Sequence, residues 1–191
     1  MKNEPTASVT AFNCADQTTP TWRQRADVCA ELLTVLVPAR GMPLQLADIG
    51  CGDQKLRDSL RARGVSMDYT GYDLLPQTSD VHRFDVRSDL LPRQHDVAVM
   101  LGVIEYLQDL PVALGRLARQ VPYLVLSHVI RQGDTYTPDM LAKLGWVNHM
   151  ERSELEAQLA RSGYAITAQR MAPDGRTMLF ACESRVREGS V

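Results

Sequence analysis

Residues 46–53 read Leu46-Ala47-Asp48-Ile49-Gly50-Cys51-Gly52-Asp53, an apolar run closed by a carboxylate and followed by a glycine turn. A stretch of this kind is a buried strand that ends in an acid and opens through the turn into a helix. Glycine lacks a Cβ and tolerates positive φ, so such a turn lets backbone N–H groups approach a bound nucleoside closely. The same pattern, an apolar run closed by a carboxylate, recurs at Tyr69-Thr70-Gly71-Tyr72-Asp73 and at Val81-His82-Arg83-Phe84-Asp85. Asp73 follows Asp48 by 25 residues, close to the spacing at which a second-strand carboxylate meets a ribose in doubly wound folds. A glycine turn alone says little. Three acid-terminated strands in order say much more.

Outward from this stretch, strands are expected at 44–49, 68–73, 81–85, 95–101 and 121–127. Val97 to Leu101 is apolar without alternation, the mark of a strand buried on both faces. Thr21-Trp22-Arg23-Gln24 has the spacing of a capping box, and Val28, Leu32 and Val35 continue one helical face until Pro38. Leu56 and Leu60 mark a short helix ending at Gly64, and Asp109 precedes a helix with Leu110, Leu114 and Leu117 on one stripe. Ser153 and Glu156 have capping-box spacing for a helix carrying Leu155 and Leu159. Tyr164–Met171 and Thr177–Cys182 flank Pro173-Asp174-Gly175 and read as a β-hairpin. Strands interleaved with helices, then a hairpin, predict an α/β doubly wound open sheet with helices on both faces.

Composition narrows the class. The chain has 191 residues, 45% hydrophobic and 23% charged, which fits one globular domain over 21–191 preceded by a flexible, polar arm or lid at 1–20. A net charge of −2 offers no global field for nucleic acid, which is therefore not an expected partner. Cys14, Cys29, Cys51 and Cys182 have no metal-ligand or disulfide spacing, so no metal is expected and a reducing cytoplasm is the expected compartment. No apolar run approaches the ~20 residues that span a bilayer, and the first twenty residues lack a signal-peptide core. Nothing in the sequence sets an oligomeric state.

With these motifs in place the chain resembles the class I S-adenosylmethionine-dependent methyltransferases over roughly residues 21–183. Asp48-Ile49-Gly50-Cys51-Gly52 is similar to the family's first motif, Asp73 to its ribose-binding acid, and Asp85-Val86 to its adenine-contacting pair. Leu101-Gly102-Val103-Ile104-Glu105-Tyr106-Leu107 resembles the segment that runs under the methionine end of the cofactor. The resemblance implies about seven strands, mostly parallel with an antiparallel C-terminal hairpin strand. It also implies S-adenosylmethionine as cofactor, S-adenosylhomocysteine as product, and contacts from Asp48, Gly50, Cys51, Gly52, Asp73, Leu74, Asp85, Val86, Leu101 and Gly102. Position 54 usually carries a third glycine in the family and here holds Gln54, whose side chain needs room near the ligand.

Candidates for chemistry lie after the fourth and fifth strands. Glu105 stands where many relatives carry a Glu-His pair, here Glu105-Tyr106, and His128 ends the fifth strand; either suits a general base. The 129–150 connection is expected to face the acceptor, with Tyr106, Tyr136, Trp146, Asn148 and His149 as substrate-side candidates. Thr137-Pro138 reads there as the cap and first turn of a short helix ending near Gly145. Trp22 and Arg23 open the first helix beside the cofactor mouth. The implied function is methyl transfer to oxygen or nitrogen of a small-molecule, sugar or peptide acceptor, with a weaker likeness to natural-product or surface-polysaccharide biosynthesis. Two rivals share the pattern. One is a protein of this fold that binds cofactor or partner without transfer. The other is an NAD-dependent oxidoreductase, disfavoured because Asp85 would have no role in it.

Overall fold

The computed structural model describes residues 20–36, 43–133 and 135–186. The arm at 1–19 and the Val35 side chain lie outside the described residues. The elements run α1 (Pro20–Leu36), β1 (Leu44–Ile49), α2 (Lys55–Ala62), β2 (Met67–Asp73), β3 (Val81–Arg83), β4 (Val97–Met100) and a 3₁₀ turn (Ile104–Tyr106). They continue with α3 (Leu110–Leu117), β5 (Tyr123–Val129), α4 (Pro138–Leu144), α5 (Arg152–Arg161), β6 (Tyr164–Met171) and β7 (Thr177–Ser184). The seven strands are ordered β3-β2-β1-β4-β5-β7-β6. The first five pair in parallel, and β7 runs antiparallel between β5 and β6.

This order fixes where a ligand can bind. The chain leaves β1 outward to β2 and β3 and returns to β4 on the other side of β1, so the connections diverge above the carboxyl ends of β1 and β4. That divergence is the crevice in which open α/β sheets take ligands. Val97, Ala98, Val99 and Met100 of β4 are all at most 2% exposed, which is why that strand shows no alternation.

Two apolar cores flank the sheet. One packs α3 and α5 through Leu110, Leu114, Leu117, Leu155 and Leu159; the other packs α1 and α2 through Cys29, Leu33, Leu56 and Leu60. One local expectation is widened and one corrected. The buried face of α1 is Ala26, Cys29, Ala30, Leu32 and Leu33, with Val28 packed against the same core. Positions 26, 29, 30 and 33 form one helical face, and their small members let the helix sit close to the sheet. The capping box of α5 is Glu151 with Glu154 rather than Ser153 with Glu156. By contrast, Thr137 caps α4 by accepting from Met140 N, and Gly145 closes it in the left-handed conformation.

Candidate active site

The glycine loop is held by β2. Gly50 N and Cys51 N both donate to Tyr72 O, at 2.8 and 3.1 Å. Gly50 has φ 72° and Gly52 φ 50°, a conformation that side chains resist. A Cβ on Gly50 would fall 2.4 Å from Val103 Cγ2, whereas one on Gly52 would meet nothing within 4 Å. Asp73 clamps the loop: Gly52 N donates to its Oδ2 at 3.0 Å and Leu75 N to its Oδ1 at 3.0 Å. Each carboxylate oxygen thereby takes one amide and keeps a lone pair for a further donor.

Beside the loop a cleft of about 150 Å³ opens at the carboxyl ends of the strands. Gly50, Asp73, Leu74, Asp85, Val86, Gly102 and Tyr106 all line it, so seven residues scattered over 57 positions of sequence meet in one place. Phe84, Leu75, Val103 and Leu107 join them, and these were not singled out from sequence because apolar residues next to a motif carry no chemical signature. Asp85 is gripped by Arg87, whose Nε and Nη2 donate at 2.8 and 2.7 Å. That bidentate pair holds the carboxyl below its ordinary range.

Other candidates lie elsewhere. Asp48, Cys51 and Gly52 do not line the cleft, and Leu101 packs toward the core formed with α1. Asp48 is 3% exposed and accepts from Tyr69 Oη at 2.6 Å. Burial raises its pKa to about 7, the Tyr69 hydrogen bond working against this and the Asp73 charge adding to it. Burial, with Asp48 and Asp73 nearby, also pushes the Cys51 thiol up, so Cys51 is a packing residue and not a thiolate. Gln54 takes the left-handed conformation at φ 63°. Its Nε2 donates to Asp80 Oδ2 at 3.2 Å, beside a separate cavity of about 330 Å³ between α2 and β2. Gln54 is thus turned away from the cleft, and the expected crowding of the ligand does not arise.

The two proposed bases form a buried pair. Glu105 is 1% and His128 0% exposed. Met150 N donates to His128 Nε2 at 3.0 Å, so that nitrogen is an acceptor, and Nδ1–H donates to Glu105 Oε1 at 3.2 Å. Glu105 Oε1 also accepts from Val129 N at 3.0 Å. Burial pushes the Glu105 pKa up, but the hydrogen bonds from His128 and the Val129 amide outweigh it, leaving the pKa below its ordinary value. Both ring nitrogens of His128 are thus engaged in hydrogen bonds. Asn148 is engaged likewise: its Nδ2 donates to Ile104 O and Leu107 O at 2.7 and 2.6 Å. That amide is committed to the 3₁₀ turn.

Tyr106, Tyr136, Trp146 and His149 do come together. Trp146 Nε1 donates to Tyr106 Oη at 3.2 Å. Tyr136 lies 5.3 Å from Trp146 and 5.1 Å from His149, centroid to centroid. On the far side of the cleft, Trp22 lies against Gly102, where a Cβ would fall 2.6 Å from its ring. Arg25, one turn further along α1, stacks on that ring at 4.5 Å and reaches Asp174 at 3.8 Å. Arg25 and not the exposed Arg23 accompanies Trp22. An i, i+3 spacing from Trp22 was the available signal. No group of three or more His, Cys, Asp or Glu among the described residues is placed to hold a metal.

A doubly wound sheet with a glycine loop, a clamped acid on β2 and a cleft at the switch point defines a Rossmann-like α/β protein with its ligand crevice in the expected place. The chain belongs to a methyltransferase domain family, which matches residues 21–169, within the class I S-adenosylmethionine-dependent methyltransferases. Similar solved structures share the fold at low identity. TnmH matches with TM-score 0.64 and 19% identity over 92% of this chain and 57% of its own. Magnesium protoporphyrin IX methyltransferase ChlM from Synechocystis PCC 6803, solved with bound SAH, gives 0.60 and 15% over 86% and 84%. The CMeT domain of the citrinin polyketide synthase gives 0.62 and 17% over 87% and 52%. The chain thus spans little more than half the length of TnmH and of the CMeT chain. No curated protein matches it in sequence. No helix among the described residues is long and apolar enough to cross a membrane.

Proposed function

We propose that this chain transfers a methyl group from S-adenosylmethionine to oxygen or nitrogen of a small-molecule, sugar or peptide acceptor. The observation that carries this reading is the Asp73 clamp at the cleft. Its carboxylate already orders the Gly52 and Leu75 amides and keeps acceptor capacity for two ribose hydroxyls. The open space over Gly52 and the Phe84–Val86 wall leave room for a nucleoside against backbone. Asp85 and the Val86 amide would edge the adenine, and Gly50, Gly102 and Val103 would run under the methionine end.

Bound S-adenosylmethionine supplies an electrophilic methyl on a sulfonium whose leaving group is a neutral thioether. The chain's own part is to hold the acceptor in line with that methyl and to keep water out, and placement alone is worth roughly 7–11 kcal/mol of barrier. His128 is not asked to move a proton. The test is calorimetric titration with S-adenosylhomocysteine and, separately, with NAD, followed by a screen for transfer of labelled methyl. Binding of S-adenosylhomocysteine and not NAD supports the reading. Binding without transfer to any acceptor would leave a non-catalytic protein of the same fold, and NAD binding would overturn both.

A further inference from the structure

A run of rings leads away from the cleft at Tyr106 and Gly102. Trp22 covers Gly102, Tyr106 lines the cleft itself, and Trp146 is hydrogen-bonded to Tyr106. Tyr136 and His149 then pack on Trp146, at 5.3 and 5.9 Å. All five side chains are half-buried rather than sealed into a core. Both tryptophans of the chain stand here, although aromatic residues make up only 6% of it, so the concentration is local. Half-exposed aromatic rings beside a cleft keep apolar, planar area available at little entropic cost, a composition suited to contact with another molecule.

The proton ledger points the same way. His128 and Glu105 are hydrogen-bonded to each other and to the Met150 and Val129 amides, and both are buried and line no part of the cleft, so neither stands open to it as a base. An acceptor hydroxyl that sheds its proton with little help suits such a site. A phenol, with a pKa of about 10, does this far more readily than a sugar or aliphatic alcohol. His149 Nε2 is buried without a hydrogen-bond partner among the described residues, a position that an acceptor hydroxyl could satisfy.

Resting on the function proposed above, we propose that the acceptor is a planar aromatic molecule bearing a hydroxyl, seated on the Trp22, Tyr106 and Trp146 rings. In the transfer, an oxygen lone pair forms the O–CH₃ bond as the C–S bond breaks. The bonding pair leaves with sulfur as the neutral thioether, and the phenolic proton passes to His149 Nε2, the nitrogen the hydroxyl meets.

The experiment uses the full chain loaded with S-adenosylhomocysteine, with ligand-observed NMR as the readout. The probes are 2-naphthol, 8-hydroxyquinoline and 1,8-dihydroxyanthraquinone, set against decahydro-2-naphthol as a saturated counterpart of equal size. Saturable binding of at least one phenol, tenfold or more tighter than the saturated alcohol, is expected. Trp146→Leu should weaken that phenol at least tenfold and Trp146→Phe by less than threefold, both with S-adenosylhomocysteine affinity within twofold of wild type. Equal binding of the saturated alcohol overturns the proposal. So does silence from all three phenols on a protein that binds S-adenosylhomocysteine, or a Trp146→Leu variant that binds phenol as wild type does. Failure of S-adenosylhomocysteine to bind the wild-type chain would strike the cofactor reading instead, before any phenol is added.

Discussion

Two carboxylates near the glycine loop show how burial divides the labour of one residue type. Asp73 was legible because an acid at the end of the second strand has one geometric destination in a doubly wound sheet, the mouth of the cleft. Replacing it by alanine would remove the two carboxylate bonds proposed to the ribose, each about 1.5–3 kcal/mol, and also frees the Gly52 and Leu75 amides. Asp73→Ala should therefore lose at least tenfold in S-adenosylhomocysteine affinity by calorimetry, with some loss of melting temperature. Unchanged affinity in the folded variant would remove Asp73 from the site. Asp48 is the other case, for burial raises its folded pKa to about 7 against about 3.9 when unfolded. Between those values the folded chain keeps a proton that the unfolded chain has released, so this group's contribution to stability falls as pH rises and levels off above about 7. Asp48→Asn should gain on wild type from pH 4 to 7, by on the order of 4 kcal/mol at most. A stability difference that stays flat across this range, measured by denaturant unfolding, would mean that Asp48 is ionised throughout.

Between β5 and α5 the connection behaves as one closed unit. Arg131 N donates to Met150 O at 2.8 Å and ties its two ends, while Val147 N and Asn148 N donate to Glu105 O. His128 bonds across the same base to Met150 N. Loops whose ends are joined in this way are often functional. The sequence announced the loop by its length and its aromatic clusters, but not this stapling, because the partners of His128 and Asn148 are backbone groups distant in sequence. The α5 cap was misplaced for a related reason: Ser153-x-x-Glu156 and Glu151-x-x-Glu154 compete at the same helix start, and only the chain's entry angle decides between them. Since His128 bridges Glu105 to a backbone amide, His128→Ala leaves Glu105 Oε1 with the Val129 amide alone and frees the buried Met150 amide. That should cost about 1–3 kcal/mol of stability, read as a lower melting temperature. A variant that folds as stably as wild type yet turns over 10²–10⁴-fold more slowly at saturating acceptor would restore His128 as the base.

At the scale of the whole molecule, the mostly parallel sheet was readable because an acid or a glycine stands at or within two residues of the end of each of β1 to β4, whereas the order of the strands was not written in any one segment. The hairpin was equally readable, since Pro173-Asp174-Gly175 sits between two strand-like runs. Less readable was how α1 closes the cleft. Its sequence marked Val28 and Leu32 but not the small residues Ala26, Cys29 and Ala30 that share the core with them, nor that Trp22 would lie against Gly102. In this arrangement the glycine loop, the Phe84–Val86 wall and Trp22 belong to separate segments that a nucleoside would bridge. A ligand that binds the folded chain alone stabilises it by about 2.7 kcal/mol at a hundredfold excess over its Kd. For a chain of this length each kcal/mol is worth about 2–4 °C. Saturating S-adenosylhomocysteine should thus raise the melting temperature by roughly 5–11 °C, whereas NAD should leave it unchanged. Gly50→Ala drives a Cβ into Val103 at a positive φ and so distorts the loop where these segments meet. Its melting temperature should fall without ligand and rise by less with it. A full ligand-induced rise in that variant would mean that the cofactor does not lie against the Gly50–Val103 contact.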